Sequence, residues 1–275
     1  MVCTPVSVDL NVDAALLLLR LVGIDSYPLV LALMPNIFLV ADQGRVDAVV
    51  AEQLTQLGVL DDGRVHPTIE HWLRCLYRPD VEMAARVVDT RADGIPETML
   101  RMALVRCGDD HVLALRCDDE VVIQSVHQED NQLNAVGAAL KVALGSCPPA
   151  RFEPMTATLE QFTEVPSEED ERRRALTELG ATSRTVAVLC RALGEITRRA
   201  EVVIIEHHDG ATANPELGLV VLDTSAGRIV VTPRLGMDGE VRSTYAPGDD
   251  SALRAGVQAL VELLPGRSWF GPTRN

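Results

Sequence analysis

Apolar and polar residues alternate through four short segments between Asp80 and His127. The segments are separated by turn-forming residues, Gly-Asp-Asp at 108–110 and Asp-Asp at 118–119. A period of two residues with such turns is typical of an antiparallel meander. We therefore predict four consecutive strands: Val81–Thr90, Thr98–Cys107, His111–Cys117 and Glu120–Val126.

A helical period follows this meander directly. Between Asp130 and Gly145, the apolar positions fall on one side of a helix: Leu133, Val136, Leu140 and Leu144. Asp130 is suited to accept the free backbone N–H groups of the first turn, and Gly145 is suited to end the helix. The pattern predicts one capped amphipathic helix after the four strands.

The same order of elements recurs about 120 residues later. Four further strands are predicted, followed by a second capped helix at Asp250–Pro265; the strands are Arg199–His208, Glu216–Thr224, Gly227–Pro233 and Glu240–Tyr245. A pair of amphipathic helices precedes the first strand each time, at Arg45–Leu57 and Pro67–Tyr77, and again at Glu168–Leu179 and Ser183–Leu193. Amphipathic helices also resemble one another by chance, but a shared order of helix, helix, four strands and helix favours a duplication.

A duplication of this kind predicts the fold class. One meander with three helices can cover only one face of its sheet, so two units related by a pseudo-two-fold axis gain by sharing a core. We expect one α+β domain over residues 1–275, made of two pseudo-repeats, 1–147 and 148–275. The join lies near Ser146–Phe152, where Pro148 and Pro149 interrupt the helix.

Composition excludes several functional classes. The chain has 275 residues, of which 47% are hydrophobic, and a formal net charge of −15. Such acidity disfavours nucleic acid and anionic membrane surfaces, because binding there requires Lys and Arg to neutralise phosphates. The apolar runs Leu16–Ile24 and Leu29–Val40 are interrupted and shorter than the roughly 20 residues of a membrane span. Met1–Val12 lacks the basic start and apolar run of a secretory signal, so we expect a cytoplasmic protein.

The six cysteines form no CxxC pair, and no His lies at metal-ligand spacing from any of them. Cys107 and Cys117 flank a predicted hairpin turn and could face each other. In the cytoplasm, two free thiols are favoured over a disulfide.

Candidate chemistry is sparse. His207, His208 and Asp209 form the most suggestive polar cluster, but adjacent strand residues point to opposite faces, so the two imidazoles cannot easily share a ligand. The chain contains no nucleophile elbow, zinc-protease motif, phosphate loop or dinucleotide fingerprint. We predict no catalytic residue, metal site or cofactor. Two pseudo-equivalent loops, Arg91–Glu97 and Asp209–Pro215, are candidates for binding, although simple flexibility would explain them equally well.

Several segments in order resemble the EspG proteins of actinobacterial type VII secretion. They are VSVDLNVDAALLLLRLVGIDSYPLVLAL at 6–33, QLTQLGVLDDGRVHP at 53–67 followed by Trp72, and LLPGRSWF at 263–270. The clearest match is LVVLDTSAGRIVVTPRLGMDGEVRSTYAPG at 219–248, with its D-T-x-x-G-R-I turn. The resemblance covers most of the chain.

This resemblance implies a cytosolic chaperone with a central, mostly antiparallel sheet flanked by two helical bundles and quasi-two-fold symmetry. It implies that the chain binds the PPE subunit tip of PE–PPE heterodimers, keeps them soluble and directs them to a type VII secretion system. The chain itself would be a monomer or weak homodimer. The alternatives are a small-ligand enzyme or sensor using a groove between the halves near His207 and His208, and an architectural homodimer.

The resemblance also implies where the partner binds. The tip would dock between the sheet and the C-terminal bundle, Glu168–Leu193, near the loop Arg91–Glu97. Our candidate partner-binding residues are Arg91, Ala92, Asp93, Gly94, Ile95, Pro96, Glu97, Thr185, Leu189, His207 and His208.

Overall fold

A computed structural model of the chain describes residues 5–35, 40–91, 93–128, 131–208, 211–212 and 217–271. The α-helices are α1 (Val12–Val22), α2 (Val40–Gln56), α3 (Pro67–Tyr77), α4 (Asn134–Leu144), α5 (Leu159–Thr163), α6 (Glu169–Glu178), α7 (Ser183–Gly194) and α8 (Asp250–Glu262). A short 3-10 turn spans Leu29–Leu31. The strands of the first half of the chain are β1 (Ser7–Asn11), β2 (Leu60–Asp61), β3 (Arg64–Val65), β4 (Val81–Thr90), β5 (Pro96–Cys107), β6 (Asp110–Cys117) and β7 (Glu120–Ser125). Those of the second half are β8 (Met155–Thr158), β9 (Ile196–His208), β10 (Ala211–Thr212), β11 (Leu219–Thr224), β12 (Gly227–Leu235) and β13 (Val241–Pro247).

The main sheet is antiparallel, and its strands are arranged in the same way on both sides of its centre. Its strand order is β1-β7-β6-β5-β4-β9-β11-β12-β13-β8, with β10 paired to β9. β4 and β9 meet in the middle over nine antiparallel residue pairs, from Val81↔Glu206 to Asp89↔Arg198. The α+β prediction with a central antiparallel sheet is confirmed. The mirrored order is the one expected for two pseudo-repeats at 1–147 and 148–275, a division that remains a prediction.

Both meanders form where the alternation predicts them, and two elements extend each repeat. β1 pairs with β7 and β8 pairs with β13, so each meander gains an edge strand from the start of its half. A helix follows each of these strands, α1 and α5. The repeated unit is therefore a strand, three helices, four strands and a helix.

The predicted cap of α4 needs a correction. The helix begins at Asn134, and its N-cap, Leu133, makes no side-chain capping bond. Asp130 lies outside the described residues. Gly145 ends the helix as predicted, with its backbone N–H donating to Lys141 and Val142. Cys107 ends β5 opposite Asp110, and Cys117 ends β6 opposite Leu100, so the two cysteines lie at opposite ends of the hairpin and do not face each other.

Helices cover the two faces of the sheet unequally. α4 and α8 lie together over the centre of one face, where α4 contacts β5 and α8 contacts β9, β11 and β12. Val136, Leu140, Val257 and Leu260 are buried there in one cluster with apolar residues of β4 and β9. On the other face, α1, α2 and α3 form an N-terminal bundle over one end, and α5, α6 and α7 form a C-terminal bundle over the other. Among the described residues, no α-helix lies over the middle of that second face, and the 3-10 turn at Leu29–Leu31 contacts β4, β5 and β6 at its N-terminal side.

The D-T-x-x-G-R-I motif has a structural role, because it forms a buried ion pair. Arg228 Nε and Nη2 donate to the two carboxylate oxygens of Asp223 at 2.6 and 2.8 Å, and the pair is buried. Arg228 Nη2 also donates to the carbonyl of Leu144 at 3.1 Å, which satisfies the end of α4. Gly227 has φ +111°, and a Cβ there would lie 2.7 Å from the carbonyl of Pro148. The motif therefore ties the β11–β12 hairpin to the join between the halves.

A second buried network holds the C-terminal segment. Trp269 Nε1 donates to His111 Nε2 at 2.9 Å, and Arg106 Nε donates to the Trp269 carbonyl at 2.7 Å. Asp80 lies 3.3 Å from Arg106. Because His111 Nε2 accepts a hydrogen bond, its proton lies on Nδ1, which donates to the Asp109 carbonyl at 3.3 Å.

This arrangement predicts acid sensitivity. Burial lowers the pKa of His111 below its ordinary value of 6.5. Below that value the unfolded chain binds a proton that the folded chain resists, so this contribution to stability is complete above about pH 6.5 and is lost as the pH falls toward the folded pKa. The free energy of unfolding in urea should fall between about pH 7 and pH 5.

The contribution of His111 is isolated by comparing how the free energy of unfolding depends on pH in the wild type and in His111→Phe. The variant should lose part of the pH dependence, while a His207→Gln control should retain it. Identical profiles for all three proteins would contradict the assignment to His111.

Candidate functional site

One strip of the sheet lies open between the two helical bundles. We call it the central face and define it by Arg86 and Val88 of β4 and Arg199, Glu201 and Val203 of β9. Both arginines are exposed and the other three residues are half-buried. Their neighbours in sequence point to the opposite face, where Ala85, Val87, Ala200 and Val202 are buried beneath α4 and α8.

Charges on the central face are paired across the two repeats. Glu201 lies 3.0 Å from Arg86 and 2.9 Å from Arg199. The side chains are about half exposed, at 40% for Glu201 and 54% for each arginine, so these pairs add little to stability. Two guanidinium groups around one carboxylate leave a net positive charge on the surface of an acidic chain. The face can therefore offer hydrogen-bond donors beside the apolar surface of Val88 and Val203.

The β4–β5 loop is a compact turn at one end of the central face. Arg91 N–H donates to the Ile95 carbonyl at 3.0 Å, and Gly94 N–H donates to the Arg91 carbonyl at 2.9 Å. Arg91 also pairs with Asp93 at 2.9 Å, and Gly94 takes the left-handed φ of +81° that the turn requires. Ile95 is left 55% exposed.

The remaining members of this candidate loop are Ala92, Pro96 and Glu97. Pro96 and Glu97 are exposed at the start of β5, and Ala92 lies outside the described residues. A short turn with internal hydrogen bonds presents one apolar side chain at a reduced entropy cost on binding.

The loop and the C-terminal bundle lie at the same end of the sheet. Asp89 at the end of β4 pairs with Arg198 at the start of β9, and α7 leads directly into β9. Thr185 and Leu189 of α7 are 1% and 0% exposed, so their side chains support the bundle from within. Thr185 Oγ1 donates to the Glu153 carbonyl at 2.9 Å, and Leu189 packs in the bundle core. The exposed side of α7 is formed instead by Arg184, Ala187 and Arg191.

His207 and His208 lie at the other end of β9, about 30 Å from the loop at the usual strand rise. His207 Nε2 is 3.1 Å from Glu82 Oε2, and His208 Nε2 is 3.3 Å from Glu206 Oε1. The two imidazoles thus have separate carboxylate partners on opposite faces of the sheet. Asp209, the third member of the cluster, lies outside the described residues.

A cavity of about 520 Å³ lies elsewhere, on the α4 and α8 side. It is lined by Asn134, Arg254, Arg267 and Phe270 among others, and neither histidine borders it. The geometry therefore does not support a ligand groove at His207 and His208. Among the described residues, no group of three His, Cys, Asp or Glu side chains is arranged to hold a metal ion. Within the same ranges, no helix combines the length and the apolar character needed to cross a membrane.

Sequence reasoning did not single out the central face. Arg86 and Glu201 stand at alternating positions of their strands, but they are 115 residues apart, and only the pairing of β4 with β9 brings them together. Charged residues within otherwise apolar strands were the available signal.

Comparison with known proteins gives consistent matches over nearly the whole chain. A model of the EspG family matches residues 11–259. The ESX-3 secretion-associated protein EspG3 of Mycobacterium tuberculosis is 30% identical over 97% of this chain and 94% of its own length. The ESX-1 secretion-associated protein EspG1 of the same species is 29% identical over 98% of this chain and 92% of its own length.

A solved structure shares the fold. It is the Mycobacterium tuberculosis type VII secretion system chaperone EspG5 in complex with a PE25–PPE41 dimer, and it superposes with a TM-score of 0.82. The match covers 97% of this chain and 100% of that one, at 18% sequence identity.

Proposed function

Because the chain belongs to the EspG family, we propose that it is a specific chaperone for a PE–PPE heterodimer. In this proposal it binds the PPE subunit at its tip in the cytoplasm, keeps the heterodimer soluble and directs it to a type VII secretion system. The chain is not an enzyme.

The observation that carries the proposal is the fold match along nearly the entire chain to a chaperone solved with its PE–PPE dimer. A match confined to the sheet would say little, because antiparallel sheets serve many functions. Coverage of 97% means that both bundles and the edge strands are also matched. A shared fold over both bundles supports a shared mode of binding.

Exposed residues at one end of the sheet support a docking surface there. The β4–β5 loop adjoins the central face, and α7 leads into β9 at this same end of the sheet. They combine an apolar contact at Ile95, half-buried valines and arginine donors. Such a mixture of an apolar centre and arginine is common at protein interfaces.

Co-expression tests the proposal directly. The chain should co-purify with a PE–PPE pair encoded beside its own secretion system and should increase the soluble yield of that pair. Failure of every such pair to co-purify or to gain solubility would overturn the proposed function. Size-exclusion chromatography of the chain alone would test the expectation of a monomer or weak homodimer.

Ile95→Asp should weaken partner binding at least tenfold, because it places a charge in an interface whose partner tip is expected to be apolar. Ile95 is 55% exposed, so the substitution should leave the thermal unfolding midpoint within a few degrees of the wild type. Calorimetric titration with the purified PE–PPE dimer measures the change in Kd.

Val142→Asp is the matched control. Val142 is 79% exposed on α4, over the opposite face of the sheet. The Val142→Asp variant should bind the PE–PPE dimer with the affinity of the wild type. Equal affinities for the Ile95 variant and the wild type would remove the β4–β5 loop from the interface.

A further inference from the structure

A cluster of four reactive side chains lies at the far end of β5, away from the docking surface. Cys75 belongs to α3 and Cys107 ends β5, and both side chains pack in the same core cluster where α3 contacts β5. His71 lies one helical turn before Cys75, with its Nε2 atom 3.6 Å from Cys75 Sγ. The same atom lies 2.8 Å from Asp110 Oδ2. Asp110 lies directly opposite Cys107 in the β5–β6 hairpin, so the two cysteines, the imidazole and the carboxylate belong to one cluster. The proposed chaperone function does not use this arrangement.

We propose that Cys75 and Cys107 are a redox-modified pair that hydroperoxides convert into a reversible disulfide between α3 and β5. The pair is formed by tertiary contact, since the two cysteines are far apart in the sequence and belong to different types of element. Each of the other described cysteines, Cys117, Cys147 and Cys190, is a free thiol too. Cys75 and Cys107 differ from those three because they share one core cluster and have His71 and Asp110 as common neighbours.

The two thiols have different exposure, which assigns their roles. Cys107 is half-buried and can meet a small oxidant, whereas Cys75 is 1% exposed and lies behind it. Its neighbours His71 and Asp110 are 54% and 62% exposed, so the cluster opens to solvent at the hairpin turn. Cys107 is therefore the attacking thiol and Cys75 the resolving one.

The electrostatics of the cluster agree with this assignment. Interaction between the two thiols lowers the pKa of Cys107 to about 7 and raises that of Cys75. Asp80 and Asp110 act in the opposite direction on Cys107, while His71 lowers its pKa further. A substantial fraction of Cys107 is then thiolate at neutral pH, and the thiolate is the nucleophilic form.

The chemistry balances in two steps. The Cys107 thiolate attacks one oxygen of the hydroperoxide, the O–O bond breaks, and the departing oxygen leaves with a proton as an alcohol, or as water from hydrogen peroxide. Cys107 is left as a sulfenic acid. Cys75 sulfur then attacks Cys107 sulfur, the S–O bond breaks, and the hydroxyl leaves as water with the Cys75 proton. Two thiols have lost two electrons and the peroxide has gained them.

Peptide mapping without reductant tests the pair. After treatment of the intact chain with a slight excess of hydrogen peroxide, the peptides containing Cys75 and Cys107 should be joined, and a dithiol reductant should separate them again.

Before oxidation, iodoacetamide should modify Cys107 at least tenfold faster than Cys147 near pH 7, because burial raises the pKa of the Cys147 thiol. The pH dependence of Cys107 labelling should have its midpoint near 7.

Variants provide the controls. Cys107→Ser should abolish the cross-link, and Cys147→Ser should leave it intact. If Cys75→Ser fails to fold because its site is buried, the wild-type map and the half-buried Cys107 position still decide the outcome. A folded wild-type chain in which the Cys75 and Cys107 peptides remain separate after oxidation would overturn the proposal. So would faster labelling of Cys147 than of Cys107. Neither result depends on the PE–PPE partner, so the proposed function is tested separately.

Discussion

Replacing Asp223 with alanine is expected to lower the free energy of unfolding by about 3–5 kcal/mol. Both of its carboxylate oxygens accept hydrogen bonds from Arg228, whose side chain is only 3% exposed. Removing the carboxylate leaves an arginine charge buried without its counterion. That cost exceeds the loss of the attraction itself.

The effect should spread beyond the hairpin. Arg228 also donates to the carbonyl that ends α4, and Gly248 N–H donates to the Arg228 carbonyl at 2.8 Å just before α8 begins. An arginine that shifts toward solvent would disturb both helices over the centre of the sheet. Urea denaturation of Asp223→Ala, followed by far-ultraviolet circular dichroism, measures the loss.

An exposed ion pair gives the contrast. Arg173 and Glu169 lie 3.0 Å apart on one side of α6, at 47% and 67% exposure. Glu169→Ala should change the free energy of unfolding by no more than about 0.5 kcal/mol. Equal stability of the Asp223 and Glu169 variants would show that removing one partner of the buried pair does not destabilise the fold.

Leu189→Ala is expected to cost about 2–5 kcal/mol of stability, because it removes a fully buried side chain and leaves a cavity. Leu189 is 0% exposed in the core of the C-terminal bundle, together with Leu176, Val186 and Phe152. Chemical denaturation measures the loss. Ala187→Ser, on the exposed side of the same helix, should change stability by less than about 0.5 kcal/mol.

The same variant separates support of the docking surface from contact with the partner. If Leu189 acts by building the bundle, the folded fraction of Leu189→Ala should bind the PE–PPE dimer with an affinity near that of the wild type under stabilising conditions. A large loss of affinity in a chain that remains folded would mean that the side chain reaches the partner. Such a result would require the bundle to open on binding.

Sequence patterns predicted the regular elements well where the period was unambiguous. α3 has the predicted bounds, Pro67–Tyr77, because a proline at its start and an amphipathic stripe define it locally. β4 likewise spans the predicted Val81–Thr90. The short edge strand β8 was missed, because the four residues of Met155–Thr158 hold too few alternations to stand out.

The predicted site residues differ from one another in exposure and in position. The loop at Arg91–Glu97 is exposed as a binding loop must be, whereas Thr185 and Leu189 are buried, and His207 and His208 lie at the distant end of β9. Exposure along a helix depends on which side faces the sheet, and the pattern of α7 left that side ambiguous at Thr185. The role of these residues in partner binding remains a prediction.

The opening alternation of apolar and polar positions determined by itself that this chain forms two four-stranded meanders, and the helical period predicted a helix after each, because that information lies within a few neighbouring residues. The order of the elements was also enough to suggest that one half repeats the other. Only the tertiary structure decided that β4 and β9 join at the centre, that Glu201 meets Arg86 on an open face, and that Cys75 meets Cys107. These contacts link residues distant in sequence, and their free energy comes from packing and register between whole elements, which no local period encodes.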